Sequence, residues 1–172
     1  ASPLPTDETT VNMYRMVQDI LTSAGYKHYE ISNYAKPGYQ CHHNRVYWEN
    51  RPYYGFGMGA ASYVGSKRFT RPRKTKEYYA WVDGGSIIDT PATTPHEVLL
   101  ETLMLGLRLA EGVDLQILTE QFGEHKIEEI VQILQPYFEK DWVKIRDKRL
   151  QLKDPDGFLF SNVVLAELFE KL

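Results

Sequence analysis

The feature that most constrains the fold is a lone helix–strand unit near the start of the chain. Residues 6–24 carry apolar side chains at helical spacing, with Thr6 as a plausible N-cap and Gly25 placed to end the helix. The run Tyr26–Tyr34 then predicts a strand. One helix followed by one strand is the closing half of an α/β unit, and such a unit cannot bury its own sheet. We therefore expect residues 1–60 to be partly mobile, or paired with a second copy in a homodimer by strand exchange.

The middle of the chain, residues 36–93, has little regular pattern and is rich in Gly, Pro and Tyr. Residues 35–62 are predicted to be irregular. Residues 62–71 predict a hairpin that turns at Gly65-Ser66, and residues 76–82 predict a short helix ended by Gly84-Gly85.

Residues 94–172 predict a separate helical domain. Thr94-Pro95-His96-Glu97 is a capping box that starts a buried helix running to about Ala110. Helices follow at 114–122 and at 126–140, and Pro136 is expected to kink or shorten the second of them. A hairpin at 142–153 and a last helix at 161–172 complete the order of a winged helix. The fold class is therefore α+β, with boundaries at 1–35, 36–93 and 94–172.

Charge tests whether a winged helix here would bind nucleic acid. The helix at 126–140 carries two lysines against three glutamates, and a net-negative helix opposes binding to phosphate. The segment from Lys36 to Trp81 has nine Lys and Arg against two acids, a net +7 that predicts either a solvated basic face or a surface for carboxylates or phosphates. A nucleic-acid-binding module remains an alternative, and packing is the favoured role of the domain.

Cysteine content and the distribution of apolar residues predict where the protein is located. The chain has one cysteine, Cys41, which excludes an internal disulfide framework and predicts a cytoplasmic protein. The segment Ala1–Pro5 has neither a basic nor an apolar region, so it predicts a linker and not a signal peptide. No stretch approaches about 18 consecutive apolar residues, the length of a membrane span.

The densest chemical cluster is Cys41-His42-His43-Asn44-Arg45-Val46-Tyr47-Trp48. Structural zinc needs four ligands, and no matching Cys or His pair stands elsewhere. Haem iron needs only axial ligands from the protein, so a lone histidine beside aromatic residues suits haem better. Tyr47 and Trp48 could stack on the macrocycle, and Arg45 or Arg51 could pair with a propionate. The alternative is that the segment only hydrogen-bonds a loop onto the core.

A second cluster, Gly55-Phe56-Gly57-Met58-Gly59-Ala60-Ala61-Ser62, has the wrong spacing and context for a dinucleotide fingerprint. Its glycines predict a close approach of the backbone to a ligand or to another strand.

Three runs carry a resemblance to a known family: YEISNYAKPG, CHHNRVYWENRPYYGFGMGAAS and LMLGLRLAEGVDL. Together they resemble the C-terminal half of the oxygen-independent coproporphyrinogen III oxidase family of radical SAM proteins, and within it the branch of haem chaperones. The resemblance covers essentially the whole chain.

The resemblance implies a partial α/β barrel upstream, with a [4Fe–4S] cluster on a CxxxCxxC loop that this sequence lacks. Residues 6–34 look like the last helix and strand of that barrel. Ala35 matches a position that contacts S-adenosylmethionine through its backbone. The pattern His43-Asn44-x-x-Tyr47-Trp48 looks like the haem-binding motif of the chaperone branch, with His43 as the ligand of the haem iron and His42 as the adjacent alternative.

The function implied is binding of haem and its delivery to haem-accepting proteins. The alternative within the family is the oxidase reaction of porphyrin biosynthesis. Either function predicts that this chain alone is catalytically inactive, because the cysteines that hold the cluster are absent.

Overall fold

A computed structural model describes residues 4–172, so most of the predicted linker Ala1–Pro5 lies outside the described residues. The structure mixes short strands with helices, which confirms the α+β class. The helices are α1 (Asp7–Ser23), α2 (His42–Trp48), α3 (Thr75–Asp83), α4 (Pro95–Gly106), α5 (Leu115–Phe122), α6 (Glu124–Glu139), α7 (Asp156–Leu159) and α8 (Ser161–Lys171). The strands are β1 (Lys27–Glu30), β2 (Asn33–Ala35), β3 (Ala61–Val64), β4 (Lys67–Thr70), β5 (Val113–Asp114), β6 (Val143–Arg146) and β7 (Arg149–Leu152). Among the described residues, no helix combines the length and the apolar character needed to cross a membrane.

The first unit departs from the sequence prediction at its strand. Thr6 caps α1 as expected, since its hydroxyl accepts a hydrogen bond from the Thr9 N–H at 3.2 Å. The predicted single strand is instead two antiparallel strands, β1 and β2. The chain reverses because the buried Glu30 carboxylate accepts hydrogen bonds from the Ser32 N–H and the Asn33 amide.

The expected exposed edge of this strand is covered within the chain, so the uncovered edge is no longer a reason to predict mobility or strand exchange. The Ala110 N–H donates to the Tyr29 carbonyl at 3.0 Å, and the Ile31 N–H donates to the Arg108 carbonyl at 2.9 Å. The segment that follows α4 therefore pairs with β1 on the side away from β2. A second copy is not needed to satisfy these backbone groups, and the argument for a homodimer loses its basis.

The middle segment contains a helix that the sequence prediction missed. Residues 35–62 were expected to be irregular, yet His42–Trp48 form α2. The hairpin is confirmed: β3 and β4 pair with Ala61 opposite Thr70, and Gly65 and Ser66 both adopt positive φ at the turn. The short helix predicted at 76–82 is confirmed as α3.

The helical domain follows its prediction with two corrections. The capping box at Thr94 and Glu97 is present, but α4 ends at Gly106 rather than near Ala110, because the chain there turns toward β1. Helix α6 continues through Pro136 to Glu139, so the expected shortening is wrong. The proline lies in the last turn, where its missing N–H removes a single helical hydrogen bond.

One apolar core joins α4, α5, α6 and α8 to the sheet β5–β7–β6. Its fully enclosed members include Leu99, Leu134, Leu150, Phe158 and Leu168. The β6–β7 hairpin turns at Asp147-Lys148, both at positive φ, as the sequence predicts. This core is the frame against which α2 and β1 are held.

Candidate functional site

Helix α2 presents His43 and Tyr47 together on its outer face. The two residues are four positions apart, which places them on one side of a helix. Their rings meet edge to face, with centroids 5.0 Å apart and planes at 82°. Both side chains are exposed, Tyr47 at 37%. The structure thus brings together the predicted iron ligand and one predicted stacking partner.

Tyr47 rests on a second tyrosine that sequence reasoning did not select. The Tyr47 and Tyr53 rings are 4.6 Å apart at 62°, and the Tyr53 backbone exchanges two hydrogen bonds of 2.9 Å with Tyr63 of β3. The Tyr53 hydroxyl accepts from the Arg68 guanidinium at 3.0 Å. This chain of contacts fixes the outer face of α2 to the β3–β4 hairpin. No sequence signal marked Tyr53, because its role depends on a contact made in the folded chain.

Trp48 lies on a different side of α2, toward α4. The Arg108 guanidinium carbon lies 5.6 Å from the Trp48 ring centroid, a cation–π distance. Its indole N–H is buried with no hydrogen-bond partner among the described residues, and the ring lines a cavity of about 280 Å³ behind α2. Asn44 is half-buried on the same side, one turn earlier. Because residues advance by about 100° each around a helix, Tyr47 and Trp48 do not present one common surface for a macrocycle.

Arg45 is held by carboxylates of the chain itself. Its Nη1 and Nη2 donate to the two Glu111 carboxylate oxygens at 3.1 and 2.9 Å, and its Nε donates to Glu49 at 2.7 Å. Nη1 also donates to the Gln40 side chain. The hydrogen bond to Glu111, and after it the bond to Glu49, raise the pKa of Arg45. In turn, the hydrogen bond from Arg45 lowers the pKa of the Glu111 carboxyl. The expectation that Arg45 pairs with a haem propionate is opposed by this arrangement, because four of its five N–H donors are used.

His42 lies on a different side of α2 from His43. It lines a surface cavity together with Gly38, Gln40 and Arg51. Neighbouring helical residues are rotated by about 100°, so this cavity lies to one side of the His43 face. Arg51, the other arginine considered for a propionate, lies 2.8 Å from the Glu49 carboxylate. The two histidines would therefore present different surfaces to a ligand.

Ala35 is buried at the end of β2, opposite Lys27. Its side chain is a single methyl group, so its backbone is the polar feature that it offers to a ligand. The loop between Ala35 and α2 ends at Cys41, which is exposed and has a free thiol. The backbone N–H of Cys41 donates to the Tyr29 hydroxyl at 3.4 Å. The predicted S-adenosylmethionine contact and the predicted haem motif are thus on consecutive elements, separated by a short loop.

The predicted close approach of the backbone is found at Gly55, whereas a Cβ at Gly57 would meet no atom within 4 Å. A Cβ at Gly55 would lie 2.1 Å from the Ala61 carbonyl oxygen, so a side chain there is excluded. The Gly55 N–H and the Arg71 guanidinium both donate to the hydroxyl of Ser62, at 3.0 and 2.8 Å, and Ser62 is fully buried. Across residues 4–172, no group of three or more His, Cys, Asp or Glu side chains is arranged to hold a metal ion.

Comparison with known proteins connects these residues to one family. The model of the HemN C-terminal domain matches residues 93–160. The chain is 40% identical to the heme chaperone HemW of Synechocystis sp. over 98% of its own length and 46% of that relative. It is 32% identical to the heme chaperone HemW of Bacillus subtilis, over 98% of its length and 45% of that relative. The chain therefore spans about half the length of the curated relatives that it matches.

The fold matches a solved structure as well. Coproporphyrinogen III oxidase (HemN) from Escherichia coli, described as a radical SAM enzyme, superposes with a TM-score of 0.71 over 95% of this chain and 42% of that chain. Sequence identity in this match is 17%, so it establishes the fold alone. Residues 93–160 match the HemN C-terminal domain family, and the chain as a whole is homologous to the heme chaperones HemW over about half of their length.

Proposed function

We propose that this chain forms the haem-binding half of a haem chaperone, with His43 as the axial ligand of the iron. The observation that carries the proposal is the exposed pair of His43 and Tyr47 on the outer face of α2. An accessible imidazole can ligate ferric iron, and the adjacent tyrosine ring offers an aromatic face to the porphyrin. The names of the relatives support haem as the cargo.

An exposed site fits transfer better than catalysis. A carrier must release haem to accepting proteins, so a ligand at the surface allows a partner to approach the bound haem. The cluster and S-adenosylmethionine of the radical SAM family belong to the whole protein, and Cys41 is the single cysteine here, so these residues cannot hold a [4Fe–4S] cluster. Ala35 is proposed as a backbone contact for S-adenosylmethionine in the whole protein. The free thiol of Cys41 suits the reducing environment of the cytoplasm.

The finer fold assignment is part of the same proposal. The match to HemN across 95% of the chain supports residues 1–35 as the tail of a partial barrel followed by an intermediate segment at 36–93. Three helices and the sheet β5–β7–β6 support a winged-helix-like domain at 94–172. Helix α6 is poorly suited to bind nucleic acid, because Lys126 already forms an ion pair with Glu129. The proposed role of this domain is to support α2 and β1.

The oxidase activity is the second candidate, and its support is the fold match to HemN. The relatives at 40% and 32% identity are haem chaperones, which favours the chaperone. Product formation by the whole protein from coproporphyrinogen III would favour the oxidase.

Titration of hemin into the chain tests the proposal. We expect a saturable shift of the Soret band that His43→Ala weakens by about tenfold or more, equal to about 1.4 kcal/mol. His125→Ala, which removes an exposed histidine of α6, is the matched control and should bind as the wild type does. Equal affinity of the wild type and His43→Ala would contradict the assignment.

A further inference from the structure

Helix α2 is held to the rest of the protein by contacts of partly exposed side chains and not by a buried face. It has seven residues, none of them buried, and Cys41 at its N-cap makes no side-chain capping bond. Helices this short are unstable in isolation, because the cost of nucleation is spread over few hydrogen bonds. The orientation of His43 therefore depends on the side-chain contacts that fix α2 to the rest of the protein.

The strongest of these contacts is the ion pair between Arg45 and Glu111. It is bidentate, with both carboxylate oxygens engaged by the guanidinium, and it joins positions 66 residues apart. The Arg45 side chain is 20% exposed and the Glu111 side chain is 54% exposed. Paired hydrogen bonds of this kind fix direction as well as distance.

The backbone of Glu111 is hydrogen-bonded to the edge of the core. Its carbonyl accepts from the Arg149 Nε at 2.7 Å and from the Gln151 side chain at 3.2 Å, both from β7. The next residue, Gly112, cannot carry a side chain, since a Cβ there would lie 2.0 Å from the Leu150 carbonyl oxygen. The backbone that carries the Glu111 side chain is thus tied to the sheet of the helical domain.

We propose that Glu111 is a positioning residue for haem binding, which acts through Arg45 to hold α2 in the orientation that presents His43. This inference rests on the proposed function of His43. It assigns Arg45 to the same task rather than to a propionate, because a propionate would have to displace carboxylates that the fold already supplies.

The test is a hemin titration of Glu111→Gln, Arg45→Gln and the double variant. Each single variant weakens hemin binding by about threefold, the scale of a partly exposed ion pair. The double variant is no weaker than Arg45→Gln alone, because that single variant already removes the pair with Glu111. The Soret maximum at saturation stays at its wild-type position, since His43 is still the ligand, and Glu111→Asp recovers part of the affinity.

Two controls separate positioning from general destabilisation and from propionate contact. Glu167→Gln removes an ion pair with Lys171 on α8, away from α2, and should leave hemin affinity unchanged. Hemin whose propionates are methyl esters should show the same loss with Glu111→Gln.

Unchanged or tighter hemin binding by Glu111→Gln would overturn the inference, and tighter binding would mean that Arg45, once released, pairs with a propionate. If His43→Ala binds as the wild type does, the proposed function itself fails. If His43→Ala loses affinity while Glu111→Gln does not, only the positioning role fails.

Discussion

The ring of His28 lies flat against the ring of Tyr34, with centroids 4.0 Å apart and planes inclined by 5°. Phe158 meets the same imidazole edge-on at 4.9 Å. The His28 side chain is 2% exposed, and its Nδ1 lies 3.0 Å from a carboxylate oxygen of Asp154. The contact is close but poorly aligned for a hydrogen bond. These residues join β1 and β2 to the turn before α7, so they connect the N-terminal unit to the helical domain.

Replacing His28 should destabilise the whole chain. His28→Ala removes the ring packed between Tyr34 and Phe158 and leaves the buried Asp154 oxygen without its neighbour. We expect the free energy of unfolding to fall by about 2–3 kcal/mol, the cost of the lost ring packing and of the cavity that it leaves. Urea denaturation measures this, with His125→Ala as the exposed control. A change below about 0.5 kcal/mol, the usual range for surface positions, would contradict the structural role of His28.

Tyr34 should make stability depend on pH in the alkaline range. Burial, and then the nearby Asp154 charge, raise the pKa of the Tyr34 phenol to about 12. In the unfolded chain the phenol ionises near pH 10, so the unfolded state loses its proton first and the folded state is destabilised as the pH rises from about 10 to about 12. Tyr34→Phe should lose stability less steeply than the wild type in this range, as followed by urea denaturation. Parallel curves would show that Tyr34 is not the group responsible.

The same variant has an expected effect at neutral pH. The Tyr34 hydroxyl is buried with no hydrogen-bond partner among the described residues. Removing an unpaired buried hydroxyl is close to neutral or stabilising. Tyr34→Phe should therefore be at least as stable as the wild type at pH 7, and a loss of about 1 kcal/mol or more would indicate a partner for this hydroxyl.

Gly106 should tolerate no side chain while Val113 is present. A Cβ at this position would lie 2.3 Å from Val113 Cγ1, and both residues are buried. Gly106→Ala should lower the free energy of unfolding by about 1–3 kcal/mol through overpacking. Val113→Ala should be less harmful in the Gly106→Ala background than in the wild type, because it removes the clashing methyl group. Additive losses in thermal unfolding would show that the two positions do not compete for the same space.

Sequence patterns predicted the parts of this fold that are encoded locally. The capping box at Thr94, the cap at Thr6 and the positive-φ turn at Gly65-Ser66 need only a few neighbouring residues, and all three are confirmed. Helix α2 was missed because its residues show no apolar period and it depends on Arg45 reaching Glu111, far along the chain. The reversal between β1 and β2 was missed because a buried Glu30 directs it.

Part of the candidate site could likewise be predicted from local sequence, and part could not. His43 and Tyr47 are four residues apart, so their pairing follows once the segment is known to be helical. Their spacing could not show that Trp48 faces α4, or that Arg45 is occupied by carboxylates, since both depend on residues 108–111. The sequence alone therefore predicted the segment, and the fold places His43 and Tyr47 on a different face of it from Arg45 and Trp48.

Nitrogen hyperfine spectroscopy of ferric haem bound to protein labelled with ¹⁵N-histidine tests directly whether His43 ligates the iron. Coupling between the iron and a ¹⁵N nucleus reports a histidine bound to the iron. We predict this coupling in the wild type and in His42→Ala, and its loss in His43→Ala. Coupling that persists in His43→Ala, or that disappears only in His42→Ala, would contradict the assignment of His43 as the haem ligand.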